Sequence, residues 1–484
     1  MSTAIRKRTR AAALAALLLP SACAVGPNYH RPDAPVPTAY KELAKDAPVW
    51  TPASPQDAAD RGAWWSVYAD AELDRLERQV NISNQNVKEF EAEYRQAVGM
   101  LEEARAELFP IIGVNGSTQR GGGGGGATST SSTVGSGAGG KPTNQFRLEA
   151  TVSWTPDIWG TVRRTIESRK AGVQMGKAEL ANAQLSAQAT LATDYFDLRA
   201  TDSLKVLLVK AVDLDRRALE ITQSMFKGGT ATDGDVALAQ SQLQSTQAQL
   251  IAVEQTRGTF EHAIAMLTGH LPSEISVSAA PLTETVPEIP VAVPSSLLQR
   301  NPSIAAAERQ MQQESALIGV AIGAYFPTVS LSGLGGYAGS QLPKLINLGN
   351  RIWSIGATAT DNLVDFGARA GAVTVARANY DQFVAVYRQT VLTTFQQVED
   401  ELLALRVLQN ESEYANSAVK SAQTAADVSL NEYNAGTVAY TTVITALQTL
   451  ITDQQTALTI QQNRLVATVT LIEALGGGWT VAGL

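Results

Sequence analysis

The sequence predicts a mainly α fold with a smaller β part, built from two internal repeats: a long α-helical barrel plus a transmembrane β-barrel shared between protomers. Three observations carry this. Residues 364–437 contain no proline, and apolar or small residues recur there at alternating steps of three and four, through Val373, Ala376, Tyr380, Phe383 and Tyr387 and on to Leu430 and Tyr433. A near-heptad sustained so far predicts one helix of roughly 65 residues, about 100 Å long at 1.5 Å per residue. Gly160 and Gly367 are 207 residues apart, as are Gly229 and Gly436, so the long helix belongs to a duplicated unit. In residues 147–155, Leu148, Ala150, Val152 and Trp154 alternate with Arg147, Glu149, Thr151 and Ser153, and residues 353–360 repeat the pattern. Period two with one oily face is the mark of a strand.

Composition agrees with helices packed on a few neighbours with water beyond. Charged residues are 17% and aromatics 6% of the 484, while Ala, Gln, Ser and Thr fill the long helices. The formal charge is −8, and loss of the basic leader residues Arg6, Lys7, Arg8 and Arg10 would make it −12. That balance argues against nucleic acid, whose phosphates need a basic surface. One cysteine allows no disulfide within the chain.

In chain order, residues 1–22 read as a signal peptide: basic through Arg10, apolar from Ala11 to Leu19, then small. Cys23 follows at the position of an acylated N-terminus, although Pro20 replaces the usual leucine; the alternative is ordinary cleavage near Ala22 or Ala24 with a free thiol. Prolines crowd residues 23–63, a lipidated extended arm. The first repeat spans 64–270: two helices parted around 81–84, a β-hairpin at about 111–155, a long helix at about 161–227 and a return helix at about 235–267. Inside the first hairpin, residues 121–140 form a glycine-rich loop that cannot build a core and is expected outside the cell. A proline-rich crossover at 271–300 leads to the second repeat, 301–478, with its hairpin at about 328–361, long helix at about 368–433 and return helix at about 442–475. Residues 479–484 are a tail. Phe109-Pro110 and Phe326-Pro327 are 217 residues apart, ten more than the glycines, and the loop accounts for the difference.

Four strands per chain, apolar on one side, match transmembrane β-strands. An open sheet of four cannot sit in lipid, because its edge N–H and C=O groups would go unpaired. Several chains must therefore close one barrel. Two would give eight strands and a lumen filled by side chains, whereas three give twelve and room for a channel.

These features together resemble the TolC/OprM-like outer-membrane efflux proteins, in particular the NodT-type lipoproteins. The resemblance rests on Cys23-Ala24-Val25-Gly26-Pro27-Asn28-Tyr29, Trp64-Trp65, Asn301-Pro302-Ser303-Ile304, Phe326-Pro327, Asp365-Phe366-Gly367 and the helix-reversal glycines Gly229 and Gly436. It implies a homotrimer in the outer membrane, anchored in lipid through Cys23, with a large periplasmic extension. Its implied partners are a periplasmic adaptor protein and an inner-membrane pump of the resistance-nodulation-division type. It implies passive conduction of drugs or other small toxic compounds; the alternatives are a type I secretion conduit or a structural coiled-coil envelope protein. At the periplasmic entrance it implies a tie between Tyr433 and Asp235, a charge-assisted bond of about 1.5–3 kcal/mol before screening. The competing reading is that Asp235 caps its helix and Tyr433 closes the apolar stripe. Thr441, Thr442 and Thr445 complete the entrance. Thr442 and Thr445 stand where aspartate rings are common in the family and Val438 where an arginine is, which lowers the expected cation selectivity.

An enzyme is not expected. His30, His262 and His270 are scattered without carboxylate or cysteine partners at ligand spacing, and the six-glycine run lacks the lysine of a phosphate-binding loop, so no cofactor or metal is expected either.

Overall fold

The computed structural model describes residues 24–34, 36–37, 40–42, 62–121, 142–287, 289 and 300–477. The expected signal peptide, Cys23, most of the arm, the glycine-rich loop beyond Gly121, residues 290–299 of the crossover and the tail at 479–484 lie outside them. A short 3-10 turn, Trp64–Tyr68, leads into α1 (Ala71–Ser83) and α2 (Gln85–Ala106). The hairpin β1 (Ile111–Gly121) and β2 (Thr143–Trp154) precedes the long helix α3 (Thr161–Lys227) and its return α4 (Asp233–Leu267). The order then repeats: α5 (Pro302–Gly323), β3 (Thr328–Gly339), β4 (Arg351–Thr360), the long α6 (Ala368–Asn434) and the return α7 (Tyr440–Ala474). Both long helices have 67 residues and both returns 35.

The chain divides into two compact units. One gathers residues 24–31 with Gln96–Val173 and Arg309–Val384, and holds the strands. They form a single antiparallel sheet in the order β1-β2-β3-β4, so the two hairpins join through β2 and β3. The register places Ile112 beside Val152, Val152 beside Gly333 and Gly333 beside Ile355, which aligns the oily faces of both hairpins. No described residue covers that face: Val114 is 73% exposed, Trp353 69% and Ile355 84%. Strand β3 extends well past Gly333, where its alternation fades from the sequence. The cause is packing, because a Cβ on Gly336 would lie 2.3 Å from the Leu148 carbonyl oxygen. No helix among the described residues is long and apolar enough to cross a membrane.

In the same unit the buried Arg164 grips the start of the arm. Its guanidinium donates to the carbonyl oxygens of Val25 and Gly26, both at 3.1 Å, and to Asn28 Oδ1 at 3.0 Å, and it pairs with Glu167 at 2.6 Å. Three oxygens within four residues of irregular chain are what a forked, five-donor side chain can satisfy together.

The other unit comprises Pro32–Arg95, Gln174–Glu308 and residues 385–477. Its core joins Trp64, Leu73, Leu76 and Val80 to Leu191, Tyr195 and Phe196 of α3, Ile264 of α4, and Leu465 and Ile472 of α7. The indole of Trp64 is fully buried, so its N–H needs a partner and donates to Gln188 Oε1 at 3.1 Å. Helix α1 starts at Asp70, whose carboxylate accepts from the N–H groups of Glu72 and Leu73. It stops at Asn84, where the backbone turns extended. Asn84 then serves two helices at once: its Oδ1 accepts from Val87 N–H and its Nδ2 donates to the Leu267 carbonyl at the end of α4. Asn301 repeats the arrangement with Ile304 N–H and the Ala474 carbonyl.

Candidate functional site at the helix reversals

Each long helix ends on a glycine in the left-handed region, Gly229 at φ 77° and Gly436 at φ 75°. Their neighbours close the last turns by six-to-one bonds, Thr230 N–H to the Met225 carbonyl and Thr437 N–H to the Glu432 carbonyl. Only glycine takes this conformation at low cost, and it lets the chain reverse within a few residues. The two reversals lie against one another around a cleft of about 690 Å³ lined by Thr230, Asp235, Tyr433, Gly436 and Tyr440 among others.

The expected tie between Tyr433 and Asp235 is not made within the chain. Asp235 instead closes a capping box: Thr232 Oγ1 accepts from Asp235 N–H, while Asp235 Oδ2 accepts from Thr232 N–H at 2.9 Å. That box also starts α4 two residues sooner than its apolar pattern suggests. Tyr433, buried, donates its hydroxyl to Thr222 Oγ1 of α3 at 3.3 Å. The ring of Tyr440 of α7 lies tilted 5.2 Å from that of Tyr433. Burial first, and the Asp215 carboxylate second, push the Tyr440 phenol above its usual value, so it stays a neutral donor.

A second tie lies further along α3. Thr246 of α4 donates to Asp215 Oδ2 at 2.6 Å, and Gln448 of α7 donates to Gln242 of α4 at 2.8 Å. Burial raises the Asp215 carboxyl, while the bonds from Thr246 and Gln242 oppose that shift. Small residues let the helices approach this closely: Ala218, Ala239, Ala422 and Ala426 pack with Val443, Leu447 and Leu450. Thr441, Thr442 and Thr445 are exposed on α7, on the face away from those apolar residues. Thr445 returns its hydroxyl to the Thr441 carbonyl at 2.9 Å, so these three positions present hydroxyls without fixed charge.

Thr222 and Tyr440 were not singled out from the sequence. Tyr440 had a signal, since it falls seven residues after Tyr433 with the reversal between them; Thr222 looked like one more small residue of a long helix.

A family model described as "Outer membrane efflux protein" matches residues 76–270 and 293–477, taking in both repeats. The chain belongs to this family. Among relatives, the probable efflux pump outer membrane protein TtgC of Pseudomonas putida is 24% identical over 468 residues, covering 94% of this chain and 93% of its own. The outer membrane protein OprJ of Pseudomonas aeruginosa is 26% identical over 477 residues, 97% of this chain and 95% of its own. Among solved structures, the outer-membrane channel OprN matches with a TM-score of 0.84 at 24% identity, over 94% of this chain and 100% of that one. The CmeC outer membrane channel of Campylobacter jejuni also reaches 0.84, at 22% identity, over 94% and 95%. The fold is thus that of the outer membrane efflux proteins, and the chain is an outer-membrane protein of efflux.

Proposed function

We propose that this outer membrane efflux protein is the exit conduit of a tripartite pump, conducting small toxic compounds passively from the periplasm to the cell exterior. Three copies join four-stranded sheets into a twelve-stranded barrel in the outer membrane, and the long helices line the periplasmic passage. The observation that carries this is the sheet itself: among the described residues its apolar face is bare and both outer strands lack partners, a state lipid does not tolerate in one copy. Relatives named for toluene and antibiotic efflux support the substrate class. A periplasmic adaptor and an inner-membrane resistance-nodulation-division pump supply selection and energy, so the conduit itself does no chemistry.

The reversals are its entrance, held shut by hydroxyls. Purified protein in planar bilayers is expected to show low, long-lived conductance. Thr222→Val with Tyr433→Phe removes the hydroxyl contact between Tyr433 and Thr222, about 1 kcal/mol and so roughly fivefold per protomer in the opening equilibrium. Conductance should therefore rise, whereas Asp235→Ala should fray the start of α4 and leave conductance near wild type. A double variant that conducts like the wild type would locate the gate elsewhere.

Cys23 anchors the mature chain through acyl groups. Cys23→Ser is expected to abolish incorporation of radioactive fatty acid while the barrel keeps the protein in the membrane fraction. Unchanged labelling would show that another group carries the lipid.

A further inference from the structure

Charge is scarce on the sheet and unevenly placed. The four strands hold four charged residues, Arg120, Arg147, Glu149 and Arg351. By strand alternation Arg120 falls on the side of Val114 and Arg351 on the side of Trp353, the oily one, both at the hairpin ends. Arg147 and Glu149 are therefore the only charged strand residues on the polar side. Beside them β1 offers Asn115 and Ser117, and β3 offers Gly336 and Ala338, none of which carries a charge.

The two form an ion pair along one strand, with Arg147 Nη1 3.5 Å from Glu149 Oε2. The carboxylate is the more sheltered partner, its side chain 14% exposed against 43% for the guanidinium. Glu149 Oε2 is buried and accepts no hydrogen bond, so the guanidinium beside it is what answers its charge. Glycine at 336 makes room for this arrangement. A Cβ there would stand 2.6 Å from Glu149 Cα and 2.9 Å from its Cβ, so β3 comes close at this level and contributes no side chain.

We infer that Arg147 and Glu149 set the charge selectivity of the exit, as a pair whose charges nearly cancel and so let compounds of either sign leave. The inference rests on the reading of a multi-copy barrel whose polar face lines the passage. Each copy then adds one guanidinium and one carboxylate to the lumen, about 7 Å apart along the strand. Strand β2 begins beside the loop read as external and ends toward α3, so a leaving compound passes the carboxylate first and the guanidinium last. Walls of low dielectric confine the field of both to the water-filled passage. Their separation is shorter than the screening length of about 10 Å at 0.1 M salt, so each masks the other. Loss of one partner unmasks three like charges roughly 10 Å from the axis, enough to change the ratio of cation to anion permeability about fourfold.

Reversal potentials of the full-length channel in planar bilayers under a KCl gradient test the pair. Glu149→Gln should shift the permeability ratio about fourfold toward anions, and Arg147→Gln by a similar factor toward cations. Arg147→Lys, and the double variant Arg147→Gln with Glu149→Gln, should both stay near the wild type. Each shift should shrink at about 1 M salt, where the screening length falls to about 3 Å. A shift that persists there reports a change in pore shape and overturns the pair, as do equal ratios in all variants. A second measurement leaves the pair intact, using charged methanethiosulfonates on Ser117→Cys, beside Arg147, and on Asn115→Cys, beside Glu149. The anionic reagent should react faster with the first and the cationic reagent with the second, the unmodified chain giving the background from Cys23. Equal rates at both positions refute the pair even if the charge variants fail to assemble. Two other results would instead sink the barrel reading itself: no conductance from the unmodified protein, or thiols at both positions that only a lipid-soluble maleimide reaches.

Discussion

Asp202→Ala is expected to cost about 3–5 kcal/mol, because it removes a buried carboxylate from between the buried Arg199 and the half-buried Arg257 and leaves Arg199 without its counter-charge. Asp202 is 4% exposed on α3. Its Oδ1 accepts from Arg257 Nε at 2.7 Å, and its Oδ2 from Arg199 Nη1 at 3.4 Å and from Ala280 N–H at 3.1 Å. Each arginine then holds the crossover by its backbone: Arg199 donates to the Ser278 carbonyl and Arg257 to the Val277 carbonyl, both at 2.5 Å. Glu261 completes the strap, taking Val277 N–H at 2.7 Å and pairing with Arg257 at 3.2 Å. Among residues 271–287 no helix or strand forms, so these bonds tie that stretch to α3 and α4. Hydrogen exchange at Val277 and Ala280 should accelerate in the variant, together with an earlier unfolding midpoint. Asp202→Asn, which keeps the shape and one acceptor, should fall between. Unchanged exchange at both amides would mean that apolar contacts hold the crossover and that the strap is incidental.

Gly476→Ala is expected to prevent assembly of a heat-resistant oligomer. The residue follows α7 at φ 90°, where an alanine costs about 1–2 kcal/mol from its own backbone. The larger effect is contact. An added Cβ would stand 2.5 Å from the Arg300 carbonyl oxygen and 2.8 Å from its carbon, and backbone atoms cannot swing aside. Relief would require α7 to withdraw from the start of α5, breaking the bond from Asn301 Nδ2 to the Ala474 carbonyl. Gly269 repeats the situation at φ 72°, 2.3 Å from the Ser83 carbonyl oxygen, so Gly269→Ala should fail in the same way. Gly371→Ala is the control. It sits in an exposed turn of α6 with nothing within 4 Å of the added carbon, and should gain up to about 1 kcal/mol from helix propensity. Equal behaviour of the three variants in a heat-dissociation assay would refute the close-approach argument.

The long helices were readable because their signal is local and repeated. The stripe from Val373 to Tyr433 needs only the 3.6-residue turn to become one face, and glycine at 436 needs only its missing Cβ to end it. The strands were readable for the same reason where side chains alternate, as in residues 147–155, and faded where Gly333, Gly335 and Gly336 removed the alternation. Asp235 shows the limit. A carboxylate near a helix start can cap that helix or reach across to Tyr433, and both choices suit the same residues; the nearby Thr232 hydroxyl decides it, at 2.8 Å from Oδ2.

What the sequence determined by itself was therefore the set of elements, their duplication, and which face of each is apolar, since each follows from spacing along the chain. Tertiary structure alone decided that Tyr433 reaches Thr222, that Arg164 holds the arm, and that Asp202 straps the crossover. The physical reason is that helices lined with alanine and other small residues pack almost equally well one turn up or down. Only rigid docking of the whole unit selects which hydroxyl or guanidinium lies opposite which acceptor.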